Sequence, residues 1–331
     1  MKEFDLIHIG HGKCLSTFMQ ERWNRSDRYN FFNGVSAGDA LSKAFMAGAR
    51  SPDAHKIDIN LTADKPNVLS YECFTYFGCA EDTPEEYRHL TLERQAFIAA
   101  TLSQLSRTAL LILRNPVDWI RSAHAQYIKY GGSLNLQGYF AAFRTPLLDN
   151  LRLDRILPIW RDNGFEPVVL AMEDYTRDPE RFWRQYEALT ELPAPHDIAT
   201  DAQSDNRTDH GNLETRAATN ALIDTLIGAM ERNQLYKNSP PHQKELESLS
   251  TVNEHFRTWT LRRAFEAMGE EEFDDLRSQL ALSEDQSFRE LALDPSDADL
   301  LAECYLEPLR EFSAFEPYFE SYRKSLIAAA A

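Results

Sequence analysis

The stretch Leu6-Ile7-His8-Ile9-Gly10-His11-Gly12-Lys13-Cys14-Leu15-Ser16-Thr17-Phe18-Met19-Gln20 restricts the fold more than any other part of the chain. Phe4, Leu6, Ile7 and Ile9 make a short apolar run of the kind that forms a buried strand. Gly10 and Gly12 permit a tight turn through backbone conformations that other residues resist. Lys13 and the Ser16-Thr17 pair follow, where helical apolar spacing resumes through Phe18, Met19 and Trp23. A phosphate-like anion suits such a place: free N–H groups and the positive end of the helix dipole favour negative charge, and Lys13 adds a full charge. An ordinary strand-to-helix turn with a solvent-facing lysine has the same pattern, and this stretch alone does not separate the two.

The Walker A pattern G-x-x-x-x-G-K-[ST] fits only at Gly12-Lys13. Ile7 stands where its first glycine belongs, and Cys14 where its Mg²⁺-binding hydroxyl belongs. That disfavours an ordinary nucleotide triphosphatase. A second stretch, Leu110-Leu111-Ile112-Leu113-Arg114-Asn115-Pro116-Val117-Asp118-Trp119-Ile120-Arg121-Ser122-Ala123-His124, points elsewhere. Together the two stretches resemble the sulfotransferases that use 3′-phosphoadenosine-5′-phosphosulfate. In that family a Lys-x-Gly-Thr-Thr loop holds the 5′-phosphosulfate. A strand ending in Arg-Asn/Asp-Pro, with a serine eight residues after the arginine, holds the 3′-phosphate. Arg114 and Ser122 have that spacing, while Leu15 departs from the family's glycine. A third stretch, Met172-Glu173-Asp174-Tyr175-Thr176-Arg177-Asp178-Pro179, resembles the family's Glu-Asp-Leu…Asp-Pro segment and extends the likeness over about the first two-thirds of the chain.

The resemblance implies an α/β three-layer sandwich with a central parallel sheet, like that of P-loop nucleotide triphosphatases, plus a mainly helical C-terminal part. It implies 3′-phosphoadenosine-5′-phosphosulfate as co-substrate, with no metal. The donor would be bound by Gly12, Lys13, Cys14, Leu15, Ser16, Thr17, Phe18, Arg114 and Ser122. Within that set Lys13 would contact the bridging oxygen, Ser16 and Thr17 the 5′-phosphate, and Arg114 with Ser122 the 3′-phosphate. Phe18 stands where family members often carry a tryptophan that packs on adenine, although a lone aromatic at helical spacing is more often core.

Further along, Ser51-Pro52-Asp53 and Lys65-Pro66-Asn67 punctuate a poorly patterned region, 24–67, with a short helix expected over 39–48. Asn67–Glu72 reads as a strand with Glu72 at its C-terminal end. Thr83-Pro84-Glu85-Glu86 has the form of a capping box, predicting one helix from there to Ser106. Ala109–Leu113 is apolar throughout, as in a parallel strand buried on both faces. A helix follows from Pro116 to the Gly131-Gly132 pair, then a helix over Leu151–Asp162 and a strand over Pro167–Met172. This alternation predicts a parallel sheet. The natural division is a donor-binding α/β core over 1–200 and a helical part over 201–331 packed on it as one compact unit, with helices expected from Leu213 and over 251–268, 270–280, 297–312 and 314–328. Asn206-Arg207-Thr208 matches an Asn-x-Ser/Thr segment of related bacterial sulfotransferases.

An acceptor hydroxyl needs a base. Tyr71-Glu72-Cys73-Phe74-Thr75-Tyr76-Phe77 resembles the Glu-containing segment of carbohydrate sulfotransferases, making Glu72 the first candidate; His11, inside the loop, is the second. His124 on the later helix reads as structural. A net charge of −17 argues against nucleic acid as partner. The expected acceptor is a carbohydrate or small molecule offering a hydroxyl or amine. No apolar run approaches the roughly 18 residues that span a membrane, the start lacks a secretory pattern, and four cysteines without metal-ligand spacing suit a reducing cytoplasm. Two other readings share the anion loop: a Mg²⁺-dependent kinase-like phosphoryl transferase, and an inactive nucleotide-binding protein that keeps the donor site but lacks the base.

Overall fold

The computed structural model describes residues 4–48, 64–79, 83–195, 212–232, 261, 264–265, 268–280, 288 and 290–330. Among these residues five strands, β1 (Leu6–Gly10), β2 (Asn30–Asn33), β3 (Asn67–Ser70), β4 (Thr108–Leu113) and β5 (Glu166–Ala171), pair in the order β2-β3-β1-β4-β5. Every pairing is parallel. Parallel neighbours need crossovers, and helices supply them: α1 (Ser16–Arg25) after β1, α2 (Val35–Met46) after β2, α3 (Thr91–Leu102) before β4, and α7 (Leu153–Asp162) before β5. All five residues of β1 and Ala109–Leu113 of β4 are buried, so the centre of the sheet is covered on both faces. The protein is thus an α/β fold on an all-parallel sheet.

The chain divides into two compact units, Met1–Trp119 with Phe143–Asn206 and Leu293–Ala331, and Ile120–Ala142 with Arg207–Ala292. The first holds the whole sheet. Its C-terminal segment is anchored by Tyr305, whose hydroxyl donates to the Arg114 carbonyl at 2.6 Å, and by Tyr318, whose hydroxyl donates to Asp174 at 2.6 Å. In the second unit, buried Asn220 of the helix Leu213–Arg232 donates to the carbonyls of Ile128 at 3.0 Å and Gly132 at 2.8 Å.

Several elements differ from the sequence expectation. The helix expected from Thr83 is a single 3₁₀ turn, Glu85–Tyr87, followed by α3 from Thr91. Thr83 does not cap it; Arg88 Nε donates to the Thr83 carbonyl at 3.0 Å, and Pro84 stays extended at ψ 141°. The strand at Asn67 stops at Ser70, and Glu72–Phe74 forms a 3₁₀ turn instead. The helix expected over 297–312 breaks into Pro295–Leu301, a π-type turn at Ala302–Leu306, and one turn at Glu307–Leu309. Pro308 lacks the N–H that an unbroken helix would donate to Cys304, which explains the wider turn before it. The helix expected at 314–328 begins as a 3₁₀ turn, Ser313–Phe315, and becomes α-helical at Phe319–Ala329. Short β2 and the helices α5 (Leu136–Ala142) and α6 (Arg144–Asn150) were not marked by sequence pattern. The helix expected over 251–268 lies almost wholly outside the described residues, as does Asn206-Arg207-Thr208. Among the described residues, no helix is long and apolar enough to cross a membrane.

Candidate active site at the ends of β1 and β4

From β1 the chain runs through α1 outward to β2, whereas β4 connects in the opposite direction to β5. In open α/β sheets the crevice beyond two such strand ends is where ligands bind. Two candidate stretches occupy it, Gly10–Ser16 after β1 and Arg114-Asn115 after β4.

The first loop is shaped by its backbone. Gly10 has φ 101°, and a Cβ there would lie 2.5 Å from the Glu72 carbonyl oxygen, so only glycine fits. Lys13 and Leu15 also take positive φ, 71° and 60°, in the left-handed region that non-glycine residues rarely enter. The loop carbonyls are tied back: Trp119 Nε1 donates to Gly12 O at 2.7 Å, Arg114 Nη1 to Lys13 O at 3.4 Å, and the Cys14 N–H to His11 O at 3.2 Å. Because a trans peptide points its C=O and N–H in opposite directions, fixing the Gly12 carbonyl turns the Lys13 N–H the other way. Left-handed Leu15 followed by helical Ser16 makes a backbone nest of N–H groups at the start of α1. That helix has no acidic residue in its first turn and no side-chain cap, which leaves its first N–H groups without a side-chain partner.

The side chains sort differently from the sequence assignment. The Ser16 hydroxyl is buried and turns back to His11 O at 3.4 Å, while Thr17 is exposed. Cys14 is fully buried; burial pushes its thiol well above the ordinary value, with Arg114, Glu173, Glu72 and Lys13 close enough to act on it. Those four charged residues therefore converge around one loop position. Phe18 is buried against Tyr175, 4.5 Å between ring centroids, with the Arg22 guanidinium 5.0 Å from its centroid.

His11 is closed off. Its Nε2 lies 2.6 Å from the Asn150 carbonyl and so carries the proton, and its ring sits 4.7 Å from Trp119. Burial lowers its pKa to about 4, against the raising effect of the Asn150 bond. Glu72 is half-buried on its 3₁₀ turn, two residues past the end of β3 and directly after the extended Tyr71. His124 is buried in the second unit, with Nε2 2.9 Å from the Leu134 carbonyl.

After β4, side chains do the holding. Asn115 Oδ1 accepts from the Val117 N–H at 3.0 Å and so caps α4 (Pro116–Lys129). Its own N–H donates to Glu173 at 3.0 Å, and its amide nitrogen to Ser325 at 2.9 Å. Arg114 is half-buried, and its Nε is buried without a hydrogen-bond partner. Glu173 Oε2 is likewise unpartnered; the buried Tyr322 hydroxyl feels the Glu173 charge yet makes no hydrogen bond of ordinary geometry. Ser122 is half-buried on α4 and belongs to the second unit. The structure thus brings Gly12–Thr17, Arg114 and Glu72 to one end of the sheet. Glu173 and Tyr305 were not singled out from sequence; Glu173 lies two residues past the end of β5, where the strand-end rule points to it. No group of three or more His, Cys, Asp or Glu side chains able to hold a metal occurs among the described residues.

No family model matches the chain, and neither a curated protein nor a solved structure matches it.

Proposed function

We propose that this protein is a sulfotransferase of the P-loop-like α/β kind, moving a sulfuryl group from 3′-phosphoadenosine-5′-phosphosulfate to a hydroxyl or amine of a carbohydrate or small molecule. The observation that carries the reading is the meeting of the two candidate motifs at adjacent strand ends, with Arg114 Nη1 on the Lys13 carbonyl. The residues present suit the donor. An uncapped helix start preceded by a nest fits the 5′-phosphosulfate, and the unpartnered Arg114 Nε leaves a guanidinium able to fork onto a phosphate.

In the reaction the acceptor oxygen forms a bond to sulfur as the bond from sulfur to the 5′-phosphate oxygen breaks. The acceptor's proton goes to a base, and the leaving 3′,5′-adenosine bisphosphate keeps the bonding electrons. Lys13 and the N–H groups of Leu15, Ser16 and Thr17 stabilise charge growing on that phosphate. Catalysis is then mainly positioning and electrostatics. Glu72 is assigned as the base, because His11 is closed to solvent and already bonded to Asn150.

Calorimetry tests the donor assignment. 3′,5′-Adenosine bisphosphate should bind at least about 10-fold more tightly than 5′-AMP, since losing the 3′-phosphate leaves Arg114 without its charged partner. Equal affinities, or tighter binding of ATP–Mg²⁺, would sink the reading. Mass spectrometry of a metabolite extract incubated with protein and donor then identifies the acceptor.

A further inference from the structure

Three successive carbonyls around the Glu72 turn are held by two buried side chains of α3. Arg94 Nη2 donates to Cys73 O at 2.7 Å, Arg94 Nη1 to Phe74 O at 3.4 Å, and Gln95 Nε2 to Thr75 O at 3.0 Å. Arg94 is 1% exposed and Gln95 fully buried. The Arg94 guanidinium lies 4.5 Å from the Phe77 ring centroid, and its remaining bond goes to Ser42 Oγ at 2.7 Å. None of these bonds is to a carboxylate: Asp39 acts on Arg94 from a distance but accepts from the Tyr71 hydroxyl at 2.8 Å. Burying a cation on neutral carbonyls is costly, and the cost is offset only while those carbonyls stay in place. The opposite side of the turn is also fixed. The Glu72 carbonyl rests on Gly10, and the Thr75 hydroxyl donates to Ile9 O at 3.0 Å.

We propose that Arg94, seconded by Gln95, is a positioning residue that aims the Glu72 carboxylate at the sulfuryl group by clamping the turn between α3 and the end of β1. The main chain of Glu72 is immobilised while its side chain stays half-exposed. A general base needs that combination, because a displacement of about 1 Å can cost a reaction on the order of 100-fold. The assignment rests on the sulfotransferase reading, with Glu72 as base.

The test measures donor consumption in the presence of metabolite extract for the wild type, Glu72→Gln, Arg94→Lys and the double variant, with 3′,5′-adenosine bisphosphate affinity by calorimetry. Lysine keeps the buried charge but lacks the planar fork that spreads over the two carbonyls and Ser42. Arg94→Lys should lower kcat about 10- to 100-fold while donor KM and adenosine bisphosphate affinity hold within about twofold. The double variant should be slower than Glu72→Gln by no more than about twofold, since both act through one carboxylate. Wild-type turnover in Arg94→Lys beside a slow Glu72→Gln would overturn the positioning role and leave the base assignment standing. Loss of donor affinity together with kcat would make Arg94 structural. A fully active Glu72→Gln would remove the base assignment and the clamp with it. A wild type that does not consume the donor would remove the sulfotransferase reading. Should Arg94→Lys fail to fold, Gln95→Met, which deletes only the Thr75 bond, is read in the same way.

Discussion

The loops after β1 and β4 leave adjacent parallel strands, and each leads into a helix, yet they are held by opposite means. The first relies on backbone: a glycine pressed against a carbonyl, two non-glycine residues at positive φ, and carbonyls tied back by Trp119 and Arg114. The second has no residue at positive φ and relies on side chains, with Asn115 bonding in three directions and Tyr305 bonding the Arg114 carbonyl. A backbone-built anion site survives most side-chain changes, whereas a side-chain-built one is lost with a single residue. The two halves of the site should therefore respond to mutation in different currencies.

Lys13 is the exception in the first loop, the one side chain there assigned to the reacting bond. Lys13→Ala should lower kcat about 10²–10³-fold, comparable to removal of one donor from an oxyanion site, while adenosine bisphosphate still binds through the N–H groups. Equal losses in affinity and kcat would show that the loop holds the ligand by charge rather than backbone.

Acid should separate the halves next. His11, in the first loop, ionises at about 4 instead of 6.5, held down by burial. Between those values the unfolded chain takes up a proton that the folded protein refuses. Its contribution to stability is therefore complete above pH 6.5 and lost as pH falls toward 4. At roughly 1.4 kcal/mol for each pH unit, His11 alone accounts for about 3 kcal/mol. His8 in β1, lowered to about 3 by burial, acts in the same direction and over a wider range. Urea unfolding at pH 7.5 and pH 4.5 should show the loss, and His11→Gln should reduce it by about half, leaving the part due to His8. An unchanged slope in that variant would mean the ring is not buried neutral.

On the second loop, Arg114→Ala should abolish the preference for 3′,5′-adenosine bisphosphate over 5′-AMP, a loss of about 1–3 kcal/mol. Turnover at saturating donor should change less than in Lys13→Ala, because Arg114 is assigned to a phosphate remote from the bond that breaks. Retained discrimination would put the 3′-phosphate elsewhere.

The strand ends were readable because their signals are local. β4 is one apolar run, and Gly10 and Gly12 mark the turn after β1. β2 was not readable: four residues, asparagine at both ends, part-buried and without alternation. The capping box at Thr83 misled because Arg88, five residues on, occupies the Thr83 carbonyl and the chain stays extended at Pro84. The supports of the site lie furthest from any pattern. Arg94 reaches the Glu72 turn from α3, Asn150 holds His11 across 139 residues, and Tyr305 bonds Arg114 across 191. Periodicity reports which face of an element is buried, not which distant carbonyl a buried donor meets.

Leu15 provides the smallest and most discriminating test. It stands where the resembled loop carries glycine, and its backbone is left-handed, φ 60° and ψ 10°, as glycine would readily be. A non-glycine residue gives up about 1–2 kcal/mol in that conformation. Leu15→Gly removes this strain but loosens the unfolded chain by about 0.5–1 kcal/mol and forfeits the half-buried leucine side chain. The terms nearly cancel, and the variant should be stabilised by no more than about 0.5 kcal/mol. Asn115→Gly on the other loop relieves no strain and loses the bonds to Val117 and Ser325, so it should destabilise by at least about 0.5 kcal/mol. A change near zero in Leu15→Gly beside a clear loss in Asn115→Gly, read from paired denaturant curves, would confirm that one loop is strained backbone and the other relaxed. If Leu15→Gly instead destabilised the protein by more than Asn115→Gly, the leucine would be kept for its packing, and the first loop would depend on its side chains as much as the second does.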